Sequence, residues 1–184
     1  MLYKIFFLAF AIILLQLGYS QNLENLDNAN GFRYIKFGKT NENNLKHKIL
    51  TDDLGDFKTY RVDDDSLKNF GGYVLNDLYC EFYNSQLWKI EFFLESKDVT
   101  TTMLNFLIAA YGTDTDESET FGKSTIRTLI WKGKNIKCTM SMEQNYQASM
   151  VTFTNLAVDK TTLNSFFKSH FTEIEQKAIE ELKK

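Results

Sequence analysis

Counted in twos, the segment DLYCEFYNSQLWKIEFFLES, Asp77 to Ser96, separates into two faces. Leu78, Cys80 and Phe82 share one side of a strand; after a turn at Asn84 and Ser85, Trp88, Ile90, Phe92 and Leu94 share one side of the next. Tyr79, Glu81, Lys89, Glu91 and Glu95 take the opposite faces, where Phe93 joins them. Such a pattern commits the segment to an antiparallel hairpin in one register, because a slip of one residue would turn the whole apolar set toward water.

TIRTLIWKGKNIKCTMSM repeats this design, turning at Gly133 with Ile136, Cys138, Met140 and Met142 on one face, and QASMVTFTNL adds a strand with Val151 and Phe153 inward. Between the hairpins, a helix is predicted from about Val99, with Met103, Leu104, Leu107, Ile108 and Tyr111 along one side and Gly112 placed to stop it. TDTDESETFGKS then reads as an acidic loop. Ahead of the first hairpin, GFRYIKFGKT reads as a strand. Thr40 caps a short helix in NENNLKHKIL, with Leu45 and Ile49 inward, and DFKTYRVDDD forms another strand. The chain contains no proline, so Gly, Asn, Asp and Ser must make its turns.

This order predicts an α+β fold: an antiparallel sheet built from two related helix-plus-hairpin modules, residues 31–96 and 97–157, with helices packed on one face. Residues 158–184 are predicted to form a long C-terminal helix capped by Asp159, with Leu163, Phe167, Phe171, Ile174, Ala178 and Leu182 at helical spacing and Phe166 widening the stripe. Docking on the domain is favoured over reaching for a partner, because phenylalanines near the start of this segment are costly to leave in water.

At the other end, Lys4 precedes an apolar run from Ile5 to Leu15, with Gly18 and Ser20 following, the pattern of a secretory signal peptide over residues 1–20. Residues 21–30, QNLENLDNAN, read as a loose polar leader. The apolar run is shorter than the roughly 20 residues a membrane-spanning helix needs. The expectation is therefore an exported protein, periplasmic or extracellular, with no stable membrane span after cleavage. A formal charge of -3, spread without a basic stripe, gives no footprint for a nucleic-acid partner.

No catalytic set emerges. His47 lies among lysines on the solvent side of a short helix and His170 lies beside Phe171, without the convergent ligands of a metal site. Cys80 and Cys138 stand in apolar strand registers, which favours buried thiols or a disulfide over a nucleophile; export to an oxidising compartment motivates the expectation that they bond to each other. The acidic runs from Asp63 and from Asp114 resemble calcium loops only in part, since counting from Asp114 the sixth position is Glu119 and the twelfth Thr125. Glu81, Glu91 and Glu95 gather on one sheet face, where solvated charges explain them without catalysis. No cofactor is expected.

The stretches GFRYIKFGKT, CEFYNSQLWKIEF, LIAAYGT and LIWKGKNIKCTMSM together resemble a broad group of secreted bacterial α+β domains of unknown function, over Gly31 to Thr154. More distantly, the order of modules is similar to that of the small SmpA/OmlA-type outer-membrane assembly lipoproteins and the beta-lactamase inhibitor proteins, which grip other proteins through exposed sheet and loop surfaces. The lipid-attachment cysteine of the first group is missing here, and no inhibitory residue of the second carries over. The expected function is a non-catalytic interaction protein of the cell envelope, with Tyr79, Tyr83 and Phe93 as contacts for an envelope partner. The alternatives are a binder of a small apolar ligand held between sheet and helices, and a carboxylate-dependent hydrolase of envelope polymers.

Overall fold

The structure, a computed structural model, describes residues 23–121, 124–143 and 145–158. The expected signal peptide and all of the expected C-terminal helix beyond Val158 lie outside the described residues.

The hairpin-forming alternation extends further than the sequence patterns indicate, and the described residues are mostly β: 50% strand against 20% helix. This overturns the α+β class. Eight strands form one antiparallel sheet: β3 (Lys48–Asp53), β4 (Phe57–Val62), β7 (Asn76–Tyr83), β8 (Gln86–Leu94), β9 (Thr115–Phe121), β10 (Ser124–Lys132), β11 (Ile136–Glu143) and β12 (Ser149–Asn155). Two small hairpins, β1 (Gly31–Phe32) with β2 (Ile35–Lys36) and β5 (Asn69–Phe70) with β6 (Tyr73–Val74), stand apart from it. The helices among the described residues are α1 (Leu23–Ala29), α2 (Asp65–Lys68) and α3 (Lys97–Tyr111).

Strand order in the large sheet is β3-β4-β7-β8-β12-β11-β10-β9. Each half of the chain thus lays down its strands from an edge toward the centre, and the two halves meet where β8 pairs with β12.

Three departures from expectation have local causes. NENNLKHKIL forms no helix: the Asn41 side chain accepts from the backbone N–H groups of Asn43 and Asn44, Asn44 in turn accepts from the Asn41 N–H, and these turns compete with helical bonding. His47 then takes a left-handed φ of 50°, and β3 starts at the next residue, Lys48. Residues Thr115–Phe121 are not a loop but β9, whose exposed Asp116 and Glu117 suit an edge strand because charge discourages pairing with another chain. The supposed leader contains α1, which buries Leu26 and packs on α3, β10 and β11.

One hydrophobic core fills the space between the sheet and the remaining elements. Leu78, Cys80, Phe82, Ile90, Phe92, Leu94, Trp131, Ile136, Cys138, Met140, Val151 and Phe153 reach it from the strands, and Leu26, Phe32, Ile35, Leu67, Met103 and Leu107 meet them from above. Phe32 lies 4.8 Å from Phe92 between ring centroids, and Phe153 lies 6.0 Å from Phe32. Each such side chain contributes about 1.5–3 kcal/mol by leaving water. Ser96 caps α3 by accepting from the Val99 N–H at 3.3 Å, and Gly112, at φ 81°, ends it.

The α1, α2, α3 and β1–β2 elements all feed this one core. The opposite face of the sheet, called the outer face below, carries no element among the described residues.

Candidate functional site, a groove on the outer face of the sheet

The residues of the outer face are those left over when the core set is removed, and register brings them into rows. Tyr79 stands opposite Glu91, Glu91 opposite Thr152, and Thr152 opposite Thr139. In the next row Phe93 faces Met150, Met150 faces Ser141, and Ser141 faces Thr128. Beyond them the outward side chains of β10 and β11 include Ile126 and Glu143, paired directly.

Where these rows reach the end of the sheet they line a groove of about 630 Å³. Tyr79, Phe93, Ile126 and Met150 supply its apolar surface, while Asp77, Glu95 and Glu143 stand at its margin. The Tyr79 and Phe93 rings meet edge-on at 6.5 Å between centroids, an arrangement that fixes both in place. Because the groove runs over the outside of five strands, it differs in kind from a cavity closed between sheet and helices. The sheet forms its floor, and a bound segment would lie along it.

Two of the three aromatic contacts expected from sequence, Tyr79 and Phe93, come together in this groove. Tyr83 does not, since it sits at the far end of β7, opposite Gln86 and Phe57. Ile126 and Met150 were not anticipated. Their signal was present in the same period-two alternation, but it becomes informative only when β12 is known to insert between β8 and β11.

Deeper on the same face, Lys89 forms ion pairs with Glu81 at 2.6 Å and with Glu91 at 3.3 Å, and Thr152 donates its hydroxyl to Glu91 at 3.3 Å. Burial pushes the Glu81 carboxyl above its ordinary range, against the pull of Lys89. Burial alone would lower Lys89, yet the two carboxylates outweigh it and hold the ammonium raised. Glu95, the third carboxylate of the group, accepts from the Asn76 amide at 2.7 Å. Each of these acids is thus engaged by a neighbouring side chain, Glu81 and Glu91 by Lys89 and Glu95 by Asn76.

Trp88 departs from the face assigned to it. The β7–β8 register shifts between Glu81 and Phe82, so that Leu87 pairs with Phe82 and enters the core, and Trp88 turns outward beside Lys89, whose ammonium lies 5.5 Å from its ring centroid.

Cys80 and Cys138 are free, buried thiols, and the expected disulfide is not present. Cys80 pairs with Ile90, Ile90 with Phe153 and Phe153 with Cys138, which sets the cysteines three strand spacings apart, about 14 Å. A disulfide needs Cα atoms within about 7 Å. Burial raises both thiols well above the ordinary thiol range.

Asp63, Asp64 and Asp116 of the two acidic runs serve local structure. Asp64 caps α2, accepting from the Ser66 N–H at 2.8 Å and its hydroxyl at 2.6 Å, and these bonds with that from Tyr34 hold its carboxyl down at about 2. Asp63 pairs with Lys68 and Asp116 with Arg127. Among the described residues no group of three or more His, Cys, Asp or Glu is placed to hold a metal ion, and no helix is long and apolar enough to cross a membrane. The chain matches no protein-family model, no curated protein and no solved structure.

Proposed function

We propose that this is an exported binding protein that takes an apolar segment of a partner protein, flanked by positive charge, into the groove on the outer face. The observation that carries this reading is the composition of the groove: an apolar lining of Tyr79, Phe93, Ile126 and Met150 inside a margin of Asp77, Glu95 and Glu143. Aromatic side chains give contact area at small entropic cost, and carboxylates at a margin favour Lys or Arg beside the anchor and disfavour acidic competitors. Export rests on the N-terminal pattern of Lys4 and the apolar run from Ile5 to Leu15.

The geometry favours a protein segment over a small molecule. Pockets for small ligands enclose most of the ligand surface, whereas this groove lies along an open sheet face, and the space between sheet and helices is filled by side chains such as Phe92, Phe153 and Trp131.

Selection from a displayed peptide library tests the reading. Enriched sequences should pair an aromatic or long aliphatic residue with nearby Lys or Arg. Phe93→Ser should weaken their binding at least about tenfold, the scale of a hot-spot truncation, while circular dichroism stays unchanged. Enrichment of acidic peptides, or binding indifferent to Phe93→Ser, would move the site elsewhere.

A further inference from the structure

The two edge strands of the large sheet differ in chemistry. β9, TDESETF, holds only acidic charges, whereas β3, KILTDD, places Lys48 at one end, Asp52 and Asp53 at the other, and Ile49 and Leu50 between them. Among the described residues β3 pairs with β4 alone. Ile49 and Leu50 are 46% and 48% exposed, and apolar side chains in the open on an edge strand invite pairing with another chain. The backbone offers the same edge. Asp63 donates its N–H to the His47 carbonyl at 2.9 Å, so bonding to β4 falls on alternate residues, and Lys48 and Leu50 aim their own N–H and C=O groups away from β4. Thr51 is the extra residue of a bulge, between Leu50 opposite Tyr60 and Asp52 opposite Thr59, and its hydroxyl donates to the Thr59 carbonyl at 3.0 Å. Counted around this bulge, Lys48, Leu50 and Asp53 share one face, opposite Val62, Tyr60 and Lys58, while Ile49 and Asp52 share the other.

We infer that β3 is an interface through which two copies of this chain pair antiparallel, about a twofold axis at Leu50. In that register the two Leu50 residues face each other and exchange a pair of backbone hydrogen bonds. Counted around the bulge, Lys48 of each copy faces Asp53 of the other, and both stand on the same side of the extended sheet. Lys48 is already held on that side, where its ammonium donates to the Glu42 carbonyl and lies 5.2 Å from the centroid of the Tyr60 ring. Charge complementarity selects the occupant. Pairing β3 with β9 of another copy would set exposed Asp116 and Glu117 near Asp52 and Asp53, and such a head-to-tail union leaves an open edge at each end, whereas β3 on β3 closes with opposite charges in register. Strands of six residues bury little area and the bulge twists this edge, so the dimer is a weak one that forms as concentration rises. The groove lining contains no residue of β3 or β4 among the described residues. Self-pairing is measured without any peptide, so its failure and the failure of the groove reading are separate results.

Sedimentation velocity of the whole chain, from micromolar to millimolar protein, tests it. The sedimentation coefficient should climb toward that of a dimer, and Leu50→Lys should hold it at the monomer. Lys48→Asp should weaken association several-fold, and adding Asp53→Lys to that variant should restore it, a rescue that a merely damaged strand would not show. Disulfide trapping reads the register directly. Paired Leu50 residues bring their Cα atoms to about 5.5 Å, inside the roughly 7 Å that a disulfide spans. In a glutathione redox buffer Leu50→Cys should therefore give a linked dimer several-fold faster than Val74→Cys, which is also exposed but lies on β6, outside the large sheet; Cys80 and Cys138 are buried and do not compete. A monomer at every concentration, association that survives Leu50→Lys, or equal trapping at the two positions would overturn the inference. Amides of residues 48–50 that gain protection from exchange only when an extended peptide is added would give this edge to a foreign strand, and would overturn self-pairing too.

Discussion

Cys80 and Cys138 occupy matching places in their halves of the sheet, each on the strand next to the central pair and each in the row that also holds Ile90 and Phe153. Their apolar surroundings raise both thiols and hold them unreactive. A thiol reagent should therefore find none in the native protein and two after denaturation without reductant, even when the protein is recovered from an oxidising compartment; fewer than two would mean that bonds had formed after all. Lys89 makes a second argument at this scale. Lys89→Met would leave Glu81 and Glu91 half-buried together and should cost about 2 kcal/mol at neutral pH, less than for a fully buried pair because these groups keep some water. The sign of its pH dependence follows from Glu81, whose pKa is already raised and would rise further without the ammonium. A carboxyl raised in the folded state favours folding when protonated, and that contribution is lost as pH rises through the folded value. Denaturant unfolding at pH 7 and pH 5 should show the gap between variant and wild type narrowing at the lower pH; a constant gap would contradict the assignment.

Among the elements, α1 shows how little residue can secure a short helix. Asp27 accepts from the backbone N–H groups of Lys134, Asn135 and Ile136 at 2.8, 2.9 and 3.0 Å and so ties α1 to the turn between β10 and β11. Asp27→Ala removes three charge-assisted bonds at once and should lower stability by about 2 kcal/mol, with amide exchange rising first at residues 134–136; no change in exchange there would mean that the turn holds its shape without the helix. This contact was not legible in the sequence, because a polar stretch such as QNLENLDNAN reveals its anchor only once Asp27 meets a turn more than a hundred residues away. By contrast, β7, β8, β11, β12 and α3 were legible, since alternation and a helical stripe are local consequences of one buried face. NENNLKHKIL failed for an opposite reason: its Leu45 and Ile49 mimic helical spacing, while its asparagines satisfy the backbone in turns. In β9 the acidic residues concealed a strand, because an edge strand buries too little to leave a strong apolar pattern.

At the level of the whole molecule, the two halves converge on the β8–β12 pair, and this junction creates the groove by placing Met150 beside Phe93. Alternation in single strands showed which side chains point outward, as for Tyr79 and Phe93, but the order of strands is a long-range property that no window of sequence contains. For that reason Tyr83 was grouped with them although it lies at the opposite end of β7.

The most direct measurement follows the methionine methyl signals of the protein while a synthetic peptide alternating Phe and Lys is titrated in. Met150 lines the groove, whereas Met103 and Met140 are fully buried in the core. The account predicts that the Met150 signal shifts with saturation while those of Met103 and Met140 stay in place, and that Phe93→Ser abolishes the shift. A stationary Met150, or shifts confined to residues near the exposed Phe106 and Val74 on the helix side of the molecule, would contradict the groove as the binding surface.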